Sequence, residues 1–263
     1  MFLKNKKQNG IFKIEKESVN NYKDISIIKR IAMIADSELI GYQSCFVGIG
    51  IPSDAACLAK LSVEPNLNLI YESGAIGAFP QTKSYSTGSP SIAFGSDMIT
   101  DSFSVFSELQ AGRIDVGLLS AAQIDKFGNL NSTVIGSYDE PKVRMVGSGG
   151  AHDIACLVPN LFILMPHEPR RFVNDVDFIT SPGSGSEIDQ LRDKYKLGSG
   201  PSMLITDRAK FKMSPDGWYL HSILQDFSYE DAIEGLPWKL KKPSNNPIIV
   251  DSKIIDSIDT INL

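Results

Sequence analysis

The apolar positions along this chain switch repeatedly between helical spacing and short unbroken runs. From Asp24 onward Ile27, Ile28, Ile31, Ile34 and Ala35 recur on one helical face, which predicts an amphipathic helix with Asp24 as its N-cap. Cys45-Phe46-Val47 is a short apolar run that ends in Gly48-Ile49-Gly50-Ile51-Pro52. That order predicts a strand, a glycine turn and a helix over residues 53–61, with Ser53 or Asp54 at its N-cap. Leu67-Asn68-Leu69-Ile70-Tyr71 predicts the next strand, stopping at Glu72-Ser73-Gly74. Further strand-like runs cover residues 116–119, 144–146, 161–165 and 203–205, and residues 102–110 have the pattern of a helix.

Alternating strands and helices predict an α/β fold, a mainly parallel sheet with helices on both faces. Residues 1–22 are polar and without periodicity, the pattern of a loose arm. No repeat and no clean linker divides the remainder, so residues 23–263 are expected to form a single domain; the Ile/Asp alternation after Pro243 has no assigned place in it. In an open parallel sheet, ligands bind on the loops beyond the carboxyl ends of the strands. Three loops have that position here: residues 48–52, Glu72-Ser73-Gly74, and Gly147-Ser148-Gly149-Gly150-Ala151. If their strands are parallel, all three meet on one edge.

Composition narrows the function. Hydrophobic residues at 42% and charged residues at 22% are ordinary globular values, and 263 residues can bury a sizeable core. A net charge of -5, with lysines gathered near the N-terminus and around Lys239, Lys241 and Lys242 and no aromatic interleaving, argues against nucleic acid. Cys45, Cys57 and Cys156 cannot all pair, and none lies in a CxxC. Reduced, buried thiols of a cytoplasmic protein are the expectation, with no metal site. No signal-peptide pattern opens the chain, and no run nears the roughly 20 apolar residues of a membrane span.

Glu72 carries the chemistry of interest. A carboxylate at the end of an apolar strand, followed by a small residue and a glycine, is partly desolvated and open to a bulky substrate, with Gly74 allowing the approach. A carboxylate nucleophile suits the passage of an acyl group between a thiolate and another carboxylate; a solvated turn glutamate fits the same position. The glycine loop offers unobstructed backbone N–H groups for an oxyanion or a phosphate, or is an ordinary tight connection. Gly48-x-Gly50 lacks the third glycine of a dinucleotide fingerprint. Of His152, His167 and His221, only His152 abuts the glycine loop. Arg170-Arg171 fits phosphate binding and pairing with the carboxylates around Asp175 and Asp177 equally.

Taken in order, Gly48-Ile49-Gly50-Ile51-Pro52, Tyr71-Glu72-Ser73-Gly74, the stretch from Ala122-Gln123 to Asn129 and Asn131, Gly147-Ser148-Gly149-Gly150-Ala151, His167 to Phe172 and Thr180-Ser181-Pro182-Gly183 resemble the B-type subunit of class I CoA-transferases. The order and spacing are closer to the glutaconate CoA-transferase type than to the 3-oxoacid type, and the resemblance covers about residues 25–238. It implies the glutamate-bearing half of a hetero-oligomer completed by an A-type CoA-transferase subunit, moving CoA between an acyl-CoA and a free carboxylic acid through a glutamyl-CoA thioester. Coenzyme A is then substrate, and no cofactor is bound permanently. Glu72 matches the nucleophile. Gly149, Gly150, Ala151, Ser73 and Gly74 match the oxyanion and substrate-binding surround; Gly48, Gly50, Arg170 and Arg171 are candidates for CoA binding. Gln123 and Asn129 are expected to shape the sheet edge. Departures lie at Ser89, at Ser120-Ala121-Ala122 and around Glu234 to Trp238. Same-fold CoA-ester decarboxylases and ring-opening hydrolases are the alternative, and a third reading is a structural, non-catalytic role beside a catalytic partner.

Overall fold

The structure, a computed structural model, describes residues 21–80, 86–240, 247–248, 250 and 254. Nearly all of the N-terminal arm and most of the Ile/Asp-rich tail therefore lie outside the described residues. Tyr22, at the arm's expected end, is already buried, and its N–H donates to Asp226 Oδ2 at 2.9 Å.

The elements follow one another as α1 (Ile27–Asp36), β1 (Ser44–Val47), α2 (Ile51–Ser62), β2 (Asn68–Ile70), β3 (Ala75–Ile76), β4 (Met98–Ile99), α3 (Ser102–Gln110), β5 (Val116–Leu119), β6 (Gln123–Ile124), β7 (Leu130–Asn131), β8 (Val134–Gly136), β9 (Pro141–Arg144), α4 (Ala151–Leu157), β10 (Asn160–Leu164), α5 (Ser186–Tyr195), β11 (Pro201–Ile205), β12 (Ala209–Ser214), β13 (Gly217–Ile223) and α6 (Tyr229–Ile233). A nine-stranded sheet runs β13-β12-β11-β10-β5-β1-β2-β3-β4. Its centre, β11-β10-β5-β1-β2, is parallel, and the strands at both margins pair antiparallel. The fold is α/β, parallel where the site lies.

Strand periodicity sorts the core into two layers. Cys45 and Val47, Leu69 and Tyr71, Val116 and Leu118, and Phe162 and Leu164 face the layer that also holds Ile31, Ile34 and Leu58 of α1 and α2. The intervening Phe46, Ile70, Leu119, Leu161 and Ile163 face the opposite layer with Val105 and Leu109 of α3 and Ile154 of α4. Helices thus cover both faces, and each parallel strand is buried on both sides, which is why its sequence reads as an unbroken apolar run.

Three local expectations are corrected. The cap of α1 is Ser26, whose side chain accepts from Lys29 N, while Asp24 lies in a preceding 3-10 turn. α2 starts at Ile51, with Pro52 in its first turn and Gly50 at the N-cap with φ +76°, so the helix begins two residues before Ser53. The run at 144–146 is no strand of the main sheet: β9 ends at Arg144 and pairs only with β8. The glycine loop therefore leaves a small two-stranded ribbon and reaches the sheet edge from the side.

Candidate active site

The alternation that assigns Ile70 to the α3/α4 face and Tyr71 to the other continues one residue further. Tyr71 is fully buried, and its hydroxyl meets Ser53 Oγ at 2.7 Å. Glu72 then turns back to the α3/α4 side, half-buried, at the carboxyl end of β2. Its Oε1 accepts a hydrogen bond from Thr87 Oγ1 at 2.7 Å. On the other side stands Gly150: an ideal Cβ built there would lie 2.8 Å from Glu72 Oε2 and 2.5 Å from Phe106 Cζ. Only a residue without a side chain allows the glycine loop to close this tightly over the carboxylate.

These parts border one cavity of about 390 Å³ that opens to solvent. Gly48, Ile49 and Pro52 line it after β1, Leu119 and Ser120 at the end of β5, Glu72 after β2, and Val146 through Ala151 from the ribbon. Thus loops 48–52 and 147–151 and the end of β2 do meet, although one of them arrives by a different route from the one its sequence suggested. Ser86, Thr87, Ser120, Ser132 and Ser148 supply hydroxyls, and no Lys, Arg or His is among the described residues lining it.

Among the amides of the glycine loop, that of Ala151 already donates to Ser148 O at 2.9 Å. Ser148, Gly149 (φ +48°) and Gly150 donate no backbone hydrogen bond among the described residues, so their amides are the loop's available donors. Gly74 has a backbone reason for being glycine: φ is +106°, and a Cβ would fall 2.0 Å from Thr100 O. It is buried and ties the end of β2 to the start of α3 through Thr100 N to Gly74 O at 2.8 Å, so it leaves no room for a substrate. Ser73 is exposed and outside the cavity wall; Gly50, the α2 cap, is half-buried and also outside it. Arg170 and Arg171 are held on Glu168 rather than on Asp175 or Asp177, at 2.8 and 3.1 Å, and Arg171 Nη1 also donates to Ala121 O. The hydrogen bond from Arg170, then the charges of both arginines, hold the Glu168 carboxyl below the usual carboxylate range. Neither arginine lines the cavity.

The remaining motif residues are framework. Asn131 Nδ2 donates to Gln123 Oε1 at 2.6 Å, and Asn129 is bonded to Asp125 and Gly183. His167 is buried between Thr206, Asp207 and the Glu234 carbonyl. Thr87 and Phe106 escaped the sequence reading. Thr87 lies in a Ser/Thr/Gly/Pro-rich loop with no period, and Phe106 reads as one more apolar position of a helix. Cys45 and Cys57 are free and buried, and burial pushes the Cys57 thiol up to about 11. Among the described residues no group of three or more His, Cys, Asp or Glu is placed to hold a metal ion, and no helix is long and apolar enough to cross a membrane.

Residues 26–211 match the family model for coenzyme A transferase. The chain is 42% identical over 202 residues to the B-type subunit of the 3-oxoadipate CoA-transferase of Pseudomonas knackmussii, covering 75% of this chain and 77% of that protein. It is 34% identical over 215 residues to the B-type subunit of the glutaconate CoA-transferase of Acidaminococcus fermentans, with 75% and 77% covered. The solved structure of that glutaconate enzyme superposes with a TM-score of 0.75 at 29% identity, over 90% of this chain and 95% of the other. The decarboxylase AibA/AibB superposes with a TM-score of 0.75 at 20% identity, a likeness of fold alone.

Proposed function

The chain belongs to the coenzyme A transferase family as its B-type half, and on that footing we propose that Glu72 is the nucleophile that carries CoA between an acyl-CoA and a free carboxylic acid. The observation behind this reading is the setting of the Glu72 carboxylate: half-buried at a parallel-strand end, oriented by Thr87 and capped by Gly150 over a cavity. One Glu72 oxygen attacks the thioester carbonyl, the C–S bond breaks, and CoA leaves as thiolate, giving a mixed anhydride. The thiolate then attacks the Glu72 carbonyl and releases the first acid, leaving a glutamyl-CoA thioester. The incoming carboxylate runs the same two steps backwards and departs as the new acyl-CoA. The free amides of Gly149 and Gly150 are the donors best placed for the oxyanions on this route.

Glutaconate and 3-oxoadipate, named in the two relatives, are both dicarboxylates, and we extend that substrate class to this chain. The described cavity wall offers hydroxyls and no cation, and we assign the charge that meets the distal carboxylate to an A-type partner. A surface for that partner lies beside the site: Phe94, Met98, Ile99 and Phe103 are 57%, 52%, 62% and 83% exposed, and Val146 on the cavity rim is 97% exposed. β4 is the sheet's edge strand, and such an apolar edge needs a cover.

The test is to incubate the complex of this chain and its A-type partner with acyl-CoA, omitting the acceptor acid. CoA is expected on this chain by intact-mass spectrometry, on the peptide holding Tyr71 and Glu72, and Glu72→Gln is expected to lose both adduct and transfer. A decarboxylase or hydrolase would consume its CoA ester without acceptor and leave no adduct. Full activity in Glu72→Gln would end the transferase reading.

A further inference from the structure

α4 carries a side-chain pair that the proposed transfer does not use. His152 and Cys156 stand one turn apart, with Cys156 Sγ 3.6 Å from His152 Nε2. The other ring nitrogen, Nδ1, lies 3.1 Å from the Thr180 carbonyl oxygen. A carbonyl can only accept, so the ring proton sits on Nδ1 and the Nε2 lone pair is turned towards the thiol. Thr180 is itself buried and pinned: its Oγ1 accepts from Ser132 N at 2.9 Å and meets Thr133 Oγ1 at 2.7 Å. A nucleophile, a base and a third group that orients the base form the arrangement of an activated nucleophile.

One independent feature joins the pair. It opens on a cavity of its own, about 380 Å³, walled by Phe106, Gln110, Asp153 and Leu157. Arg192 of α5, 5% exposed, lies behind the thiol and outside that cavity, its Nη1 and Nη2 donating to the carbonyls of Ala155, Gly198, Pro182 and Gly183. Burial raises the Cys156 pKa, Arg192 pulls it down, and Asp153 adds to the rise; the balance is upward. The resting thiol is therefore protonated, and a base that removes the proton during attack matters more than a standing thiolate.

We propose that Cys156 is a nucleophilic thiol with His152 as its general base, forming a modification site for small disulfides. The Cys156 sulfur attacks one sulfur of a disulfide as His152 Nε2 takes the thiol proton. The S–S bond breaks, and the other half leaves as a thiolate, protonated by the imidazolium or by solvent. Cys156 ends as a mixed disulfide whose small-thiol half occupies the second cavity. The attacking disulfide is the oxidant, so the exchange needs no other co-reactant. Glu72 takes no part, and the inference stands or falls apart from the transfer chemistry.

The experiment is native labelling of the assembled complex, A-type partner included, by an aromatic disulfide that releases a coloured thiolate, followed by peptide mapping of this chain. Cys45 and Cys57 are 0% and 4% exposed, so a single label on Cys156 is expected, with the other two reacting only after unfolding. His152→Gln should slow labelling at pH 7 roughly 100-fold, the low end of general-base assistance. It should also leave a rate that rises with pH only in the alkaline range, since burial holds the unassisted Cys156 thiol above its ordinary value. Labelling that maps elsewhere, no native labelling, or an unchanged rate in His152→Gln would overturn the proposal. His152→Ala repeats the comparison if the glutamine variant misfolds, and the mapping needs only the wild-type chain.

Discussion

Glu72 has one oxygen in a hydrogen bond with Thr87 and the other facing Gly150, and each neighbour makes a separate prediction. A hydrogen bond to a charged group contributes about 1.5–3 kcal/mol, and at roughly 1.4 kcal/mol per tenfold its loss is worth about 10- to 100-fold in rate. Thr87→Val keeps the shape and removes the donor. Turnover and the rate of glutamyl-CoA formation should fall together in that range, while Thr87→Ser, which restores a hydroxyl, should recover most of both. A Thr87→Val complex with wild-type adduct kinetics would leave Thr87 a loop residue. Gly150→Ala places a methyl group where Phe106 and the carboxylate already stand, so the loop, the ring or Glu72 must move. Near-attack geometry tolerates little such movement, and turnover should drop about 100-fold or more. The loop is peripheral, so the thermal midpoint should change little. Undiminished turnover in Gly150→Ala would refute the tight approach.

At the scale of elements, the junction that follows β10 holds a titration. Burial, helped by the charge of Arg208, lowers the His167 pKa from its ordinary 6.5, against the hydrogen bond to the Glu234 carbonyl and the charges of Asp207 and Glu234. A base with a depressed native pKa stays neutral in the fold after the unfolded chain has begun to take up its proton. Its contribution is therefore complete above pH 6.5 and is lost as pH falls from there towards the native value. Thermal scans from pH 8 to pH 5.5 should show the wild type losing midpoint below pH 6.5 more steeply than His167→Gln; parallel curves would discount this histidine. Legibility at this scale followed burial and capping. Residues 116–119 emerged as a strand to the residue because β5 is apolar on both faces, and α3 matched residues 102–110 because Asp101 caps it, its side chain accepting from Ser104 N at 2.8 Å. The run at 144–146 misled because pairing is a non-local choice: Val134 and Ile135 take Arg144 and Val143 as partners, and nothing within the run itself records that. Glu72 was legible as a strand-end carboxylate. Gly150 was legible as part of a glycine loop, whereas Thr87 and Phe106 come to Glu72 from two further segments, so their roles exist only once the chain is folded.

At the scale of the whole molecule, the sheet is closed at neither margin, and its two ends are unlike. β13 is largely buried apart from Tyr219, whereas Met98 and Ile99 of β4 are both exposed, with Phe94 and Phe103 beside them. That apolar margin is not remote from the chemistry: Thr100, next along the chain, donates to Gly74, two residues from Glu72. A partner seated there would cover the edge strand and close the open cavity in one step, supplying the cation that the described wall lacks and excluding water from a hydrolysable thioester. Phe103 is the most direct probe because it is 83% exposed on the first turn of α3 and contributes little to this chain's own core. Phe103→Glu should leave the isolated chain's fold and thermal midpoint nearly unchanged, since it replaces one solvent-facing side chain by another. A carboxylate buried in an apolar interface is costly, so the same change should weaken assembly with the A-type partner at least 10-fold, read by sedimentation or by co-purification across a dilution series. Transfer should fall with the fraction assembled and return at high partner concentration. If Phe103→Glu assembled as tightly as the wild type, the partner would have to sit elsewhere, and this apolar edge would need another cover.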